Sequence, residues 1–167
     1  AVESMGKTRP AVLRKDFIID EYQVLEARVA GADSVLLIVA SLDDETLAQL
    51  LDFSRQLGME PLVEVNNAGE MRRAIDSGAA IIGINNRDLR SFDVDLGTTD
   101  RLAGLASGGV LLAALSGIST RADVERFQAA GAGAVLVGES LMLADDPAAK
   151  IGELRGTHVS LSTTHDS

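Results

Sequence analysis

The sequence predicts an α/β fold of six successive strand-helix units, and three observations carry that prediction. Six short, β-rich apolar runs occur in order, at Ala11–Phe17, Ser34–Ala40, Glu60–Val65, Ala80–Asn85, Val110–Leu115 and Ala134–Gly138. Stretches with apolar residues at helical spacing alternate with them, at Tyr22–Ala30, Glu45–Leu57, Ala68–Ile75, Thr98–Leu105, Ala122–Ala129 and Ala148–Leu154. The strand starts lie 20–30 residues apart, the length of one strand, one helix and the crossover that joins parallel neighbours.

Each unit is punctuated as helix termini require. The first helix closes at Gly31; the second opens at Asp43 and closes at Gly58; the third closes at Gly78. The fifth opens at Thr120 and closes at Gly131, and the last opens at Asp145. The strands read as unbroken apolar runs, as parallel strands covered on both faces should. An open doubly wound sheet and a (β/α) barrel both fit. No Gly-x-Gly-x-x-Gly follows the first strand, which weakens a dinucleotide-binding sheet. A complete barrel needs eight units and typically about 250 residues.

Composition narrows the chemistry. The 167 residues are 46% hydrophobic and 24% charged, with no Cys or Trp, which suits one soluble domain without structural disulfides or Cys-based metal sites. His158 and His165 are the two histidines, both in the polar stretch after Gly156, so a Ser-His-Asp triad or multi-His metal site is not expected. A net charge of −10 opposes approach to nucleic acid or anionic lipid. Runs such as Val35–Ala40 are far shorter than the ~20 apolar residues of a membrane span. No basic-then-apolar leader opens the sequence, and a cytoplasmic location is expected.

Polar residues gather where parallel α/β folds place their chemistry, at the carboxyl ends of strands. Arg14-Lys15-Asp16-Phe17 ends the first strand, Glu64 lies inside Leu62-Val63-Glu64-Val65, and Asn85-Asn86-Arg87 ends the fourth. Ser116-Gly117-Ile118 ends the fifth and Gly138-Glu139-Ser140 the sixth. Each has an ordinary structural reading: solvated charges at Arg14–Asp16, turn chemistry at Asn85–Asp88, helix starts at Ser116-Gly117 and Gly138. Met142, between Leu141 and Leu143, reads as core filling. Glu64 is harder to dismiss, because a carboxylate among apolar strand residues is costly unless paired. Together, a lysine, a glutamate, an asparagine and two glycine turns would line one mouth. Backbone N–H groups at Ser116-Gly117 and at Gly138-Glu139, the latter opening a short helix, suit a phosphate.

These motifs resemble the indole-3-glycerol phosphate synthase family. Ala11-Val12-Leu13-Arg14-Lys15-Asp16-Phe17-Ile18-Ile19 with Tyr22-Gln23 is similar to the family's third strand and helix. The likeness continues through Leu36–Ala40, Leu62–Val65, Ile82–Leu89, Ser116–Ile118 and Val135–Met142, over roughly residues 8–155. It implies a partial (β/α)8 TIM barrel, strands three to eight, over residues 1–155, followed by a polar tail or linker at 156–167. The implied reaction is the ring closure of 1-(2-carboxyphenylamino)-1-deoxyribulose 5-phosphate with loss of CO₂ and water, a lyase step of tryptophan biosynthesis that uses no cofactor and no metal.

By position, the resemblance makes Lys15 the general acid and Glu64 the general base or charge partner, with Asn85 orienting substrate hydroxyls. Phe17 and Leu36 would wall the anthranilate ring, Arg87 and Leu136 would also meet substrate, and phosphate would rest on Ser116, Gly117, Gly138 and Glu139. The chain departs from the family in two places. Leu115 stands where many bacterial members carry Glu, as in fungal-type members, which are commonly parts of multifunctional chains; other tryptophan-pathway domains in one chain are thus expected partners. The first two βα units, with a second lysine, have no counterpart. Six units leave two strand edges unpaired, so these residues by themselves are expected to lack turnover. Three hypotheses follow: a synthase, a non-catalytic barrel piece acting as an assembly or interaction module, and another phosphate-binding barrel enzyme such as a sugar-phosphate isomerase. Lys15 with Glu64 favours the first.

Overall fold

The protein is described by a computed structural model covering residues 9–106 and 108–157. Six parallel strands form one sheet in chain order, β1 (Leu13–Arg14), β2 (Ser34–Ile38), β3 (Leu62–Val65), β4 (Ile81–Asn85), β5 (Leu111–Leu115) and β6 (Ala134–Leu136). The crossovers are α1 (Glu21–Val29), α2 (Asp44–Gln56), α3 (Ala68–Asp76), α4 (Gly97–Ala103) and α5 (Arg121–Ala129). One-turn α6 (Glu139–Met142) and α7 (Pro147–Arg155) follow β6. The expected α/β class and partial (β/α)8 barrel are what forms: a curled half-barrel with helices outside.

The two-residue period of the strands sorts side chains into two layers. Val35, Leu37, Val63, Val65, Ile82, Ile84 and Leu112 face outward and pack against the helices. Leu36, Ile38, Leu62, Ala113 and Leu115 face inward and cluster with Leu13, Ile81 and Leu136. Inward side chains of all six strands thus contribute to one apolar layer on the concave face. Gly83 belongs to this concave face, and a Cβ there would lie 2.7 Å from Leu115 Cδ1 and 3.2 Å from Leu62 Cδ1. The missing side chain is the space that Leu115 fills.

Helix ends follow the sequence signals closely. Asp43 accepts from Thr46 N at 2.8 Å, Thr120 and Asp123 form a reciprocal capping box, and Gly31, Gly58, Gly78 and Gly131 all adopt positive φ. The cap of the last helix lies one residue later than expected: Asp146, not Asp145, accepts from Ala148 and Ala149 N–H, and Pro147 takes the first turn. The strands are shorter than the apolar runs. Ala11–Phe17 contracts to two residues because β1 has a single neighbour among the described residues, β2. Strand β2 ends at Ile38, where Val39–Ser41 forms a 3₁₀ turn held by Arg73, whose guanidinium donates to Val39 O at 3.1 Å and Leu42 O at 2.6 Å.

Met142 corrects an expectation, being 85% exposed rather than core, with Leu143 beside it at 79%. On a single turn after a terminal strand, only one side can face the sheet, and Leu141 takes it. His158 and His165 lie outside the described residues, as does most of the expected 156–167 tail, of which Gly156 closes α7 at φ 72°.

The start of β1 is tied down by charge. Arg9 pairs with Asp33, whose other contact is the Val12 N–H at 2.7 Å, and Asp33 N donates back to Val12 O at 2.8 Å. The Arg9 guanidinium and the Val12 N–H hold the Asp33 carboxyl at about 2, below its ordinary 3.8. A carboxyl depressed on folding stabilises above its unfolded value and loses that contribution as pH falls toward its folded value. Asp33→Asn should therefore lower the urea midpoint at pH 7 and flatten its fall between pH 4 and 2; an unchanged pH profile would remove Asp33 from this role.

Candidate active site

Lys15, Glu64 and Asn85 reach the mouth because each extends the inward parity of its strand. Lys15 follows Leu13, Glu64 follows Leu62, and Asn85 follows Gly83. Register sets them side by side: Glu64 pairs with Ile38 on one side and with Gly83 on the other, two residues before Asn85. Glu64 is 2% exposed. Asn85 Nδ2 donates to its Oε1 at 2.8 Å, while Asn85 Oδ1 accepts from Arg87 N at 3.0 Å, which fixes the amide so that its N–H group faces the carboxylate. Among the described residues, the buried Glu64 Oε2 has no hydrogen-bond partner. Lys15 Nζ stands 3.7 Å from that oxygen, and the lysine side chain is 52% exposed.

The arrangement is therefore one wet cation beside one dry carboxylate, too far for a hydrogen bond and close enough to exchange a proton through a substrate group or one water. A cleft of about 730 Å³ opens beside it, lined by Lys15, Asn85, Arg87, Leu136, Ser116, Gly117, Gly138 and Glu139. A smaller one of about 150 Å³ adjoins Glu64, Asn66 and Arg90, and Leu89 borders both. Two predicted residues lie apart from these linings. Leu36 is fully buried on the concave face, and Phe17 is 60% exposed beyond β1, its N–H held by Asp16 and its carbonyl by Gln23.

Two contacts were not legible in sequence. Arg87 Nη2 donates to Glu139 Oε2 at 2.7 Å, bridging the β4 and β6 ends and neutralising the carboxylate nearest the glycine turn, while the buried Arg87 Nε has no partner among the described residues. Asn86, read as turn chemistry, is 1% exposed. Its parity opposite Asn85 was the available signal: a polar residue facing the sheet-helix layer must find local partners. Ser116 adopts φ 65° and Gly117 φ 75°. For serine that conformation costs roughly 1–2 kcal/mol and persists where surrounding contacts dictate it. A Cβ on Gly117 would meet Val94 and Leu96 at 2.6 and 2.7 Å, so both its φ and its close neighbours favour glycine there.

Among the described residues, no three His, Cys, Asp or Glu side chains are grouped to hold a metal, and no helix is long and apolar enough to cross a membrane. Asn85→Ala should leave both Glu64 oxygens buried without a hydrogen bond, costing about 1–3 kcal/mol by urea unfolding; a loss under 0.5 kcal/mol would mean that the pair is dispensable to folding.

Residues 5–154 match the family model for indole-3-glycerol phosphate synthase. The chain is 62% identical over 154 residues to the multifunctional tryptophan biosynthesis protein of Schizosaccharomyces pombe, covering 92% of this chain and 20% of that one. It is 57% identical over 147 residues to the indole-3-glycerol phosphate synthase of Roseiflexus sp. RS-1, covering 87% and 55%. The chain thus spans about a fifth and about half of these relatives. A mandelate oxidase structure with (S)-mandelic acid aligns at TM-score 0.69 and 20% identity, over 93% of this chain and 57% of that one, a likeness of fold.

Proposed function

Because the chain belongs to the indole-3-glycerol phosphate synthase family, we propose that its mouth carries the ring closure of 1-(2-carboxyphenylamino)-1-deoxyribulose 5-phosphate, with loss of CO₂ and water. The observation that supports this most is the ammonium of Lys15 at 3.7 Å from the buried, unpartnered oxygen of Glu64. Lys15 protonates the substrate carbonyl as the new carbon–carbon bond forms and helps the hydroxyl depart. Glu64, shielded and with Oε2 free of hydrogen-bond partners among the described residues, takes the proton released in the dehydration. Asn85 has one amide hydrogen committed to Glu64 and keeps its second for a substrate hydroxyl.

Phosphate sits at the far end of the larger cleft, on Ser116, Gly117, Gly138 and Glu139. The Arg87–Glu139 pair supports that placement, since it offsets the charge that would otherwise repel an anion. Arg87 and Leu136 border the sugar, and Phe17 with Leu36 belongs to the ring's surroundings. Neither a metal nor an organic cofactor enters this scheme. The phosphorylated substrate is the small-molecule partner, and other tryptophan-pathway domains are partners in one chain, as the name of the S. pombe relative suggests. The cytoplasm is the setting proposed for it.

A second reading keeps support from the two sheet edges. Ile19 and Tyr22 near β1 and Met142 and Leu143 after β6 are exposed apolar residues, as an assembly module would present. We propose that they meet further βα units of the barrel and that turnover needs those units. The deciding assay compares the chain alone with the chain plus the family's first two βα units. Turnover should appear in the second and fall at least a hundredfold in Lys15→Met; turnover within tenfold of the parent would remove Lys15 as the acid. Glu64→Gln should slow dehydration while keeping the Asn85 contact, and unchanged kinetics would leave Glu64 a purely structural residue. No turnover in any combination would favour the module.

A further inference from the structure

We propose that Asn86 is the positioning residue of the anion loop: its side-chain amide, locked by Thr99, turns the Leu115 and Ser116 carbonyls toward the helix layer and so aims the Ser116 and Gly117 N–H groups into the cleft. The inference rests on the phosphate placement above and assigns it a cause. Asn86 Nδ2 donates to Leu115 O at 3.1 Å and to Ser116 O at 3.2 Å, and Asn86 N donates to the same Leu115 O at 2.9 Å. In a trans peptide the N–H points opposite to the preceding C=O. Two carbonyls drawn toward Asn86 therefore direct two N–H groups away from it. Neither N–H has an acceptor among the described residues, and both residues line the larger cleft. Successive free N–H groups in a turn form an anion-binding concavity.

The orientation of the amide is decided by α4. Thr99 N and Thr99 Oγ1 reach Asn86 Oδ1 at 3.1 and 2.8 Å, and the backbone N–H can only donate, so the atom facing it must be the amide oxygen. That leaves the NH₂ toward β5. Asn86 and Thr99 are both fully buried, which removes water as a competing partner for either group. The loop is closed from the other side by Asp95 N donating to Asn86 O at 2.8 Å. Asn86 thus acts on the anion without touching it.

The test is inorganic phosphate binding to the intact protein, with anthranilate, which lacks phosphate, as the control ligand. Asn86→Asp keeps the oxygen facing Thr99 and puts a second oxygen against two carbonyls; it should weaken phosphate at least tenfold and leave anthranilate within twofold. Thr99→Val keeps the volume and removes one donor to Oδ1, and should weaken phosphate about threefold with anthranilate again unchanged. Equal phosphate affinity in parent and Asn86→Asp overturns the proposal, as do parallel losses of both ligands or no phosphate binding by the parent. Should Asn86→Asp fail to fold, parent-like phosphate affinity in Thr99→Val overturns it. Failure of the synthase reading is seen separately, as absence of Lys15-dependent turnover.

Discussion

The burial of one carboxylate organises the mouth of this half-barrel. Glu64 is the only charged side chain among the buried described residues, and strand parity gives it no alternative direction, since turning it outward would turn Leu62 with it. A carboxylate in such a place must be compensated. The compensation is asymmetric: one oxygen is satisfied by Asn85 and the other is left facing an exposed ammonium. Stability alone would favour satisfying both. The second oxygen is instead left open toward the Lys15 ammonium, 3.7 Å away.

The adjacent asparagines show how a strand end serves two purposes at once. Asn85 faces the concave side and steadies Glu64; Asn86 faces the helices and steadies the β5 loop. Because alternation is forced by the strand, the pair links the Lys15–Glu64 side of the mouth to the β5 turn through one backbone. Arg87 continues the same run and reaches β6, so three consecutive residues tie together the ends of β3, β5 and β6.

Much of this was legible in sequence for local reasons. Glycines closing α1, α2, α3 and α5 and polar residues opening α2 and α5 depend on near neighbours and were readable. Lys15, Glu64 and Asn85 were readable as polar residues at or near the carboxyl ends of strands that would line one mouth. What escaped depends on distant partners. Strand lengths at β1 and β6 are set by how many neighbours each has, Met142 by which side of a single turn meets the sheet, and the Arg87–Glu139 pair joins residues far apart in the chain. Asn86 escaped because Asn-Asn-Arg-Asp is also what an ordinary turn looks like. The Asp145 assignment overlooked Pro147, which marks the first turn and so places the cap at Asp146.

The hollow at Gly83 makes volume on the concave face a property of neighbouring strands jointly. Leu115 occupies the space a side chain at 83 would need, so the two positions behave as one packing unit spread over β4 and β5. A larger residue at 83 would force the Leu115 side chain to shift, and a smaller one at 115 would leave a void beneath the mouth. Leucine at 115 is thereby more than the loss of a carboxylate: it is the apolar plug on which the floor of the cleft rests. Variation in this floor should be inherited in pairs.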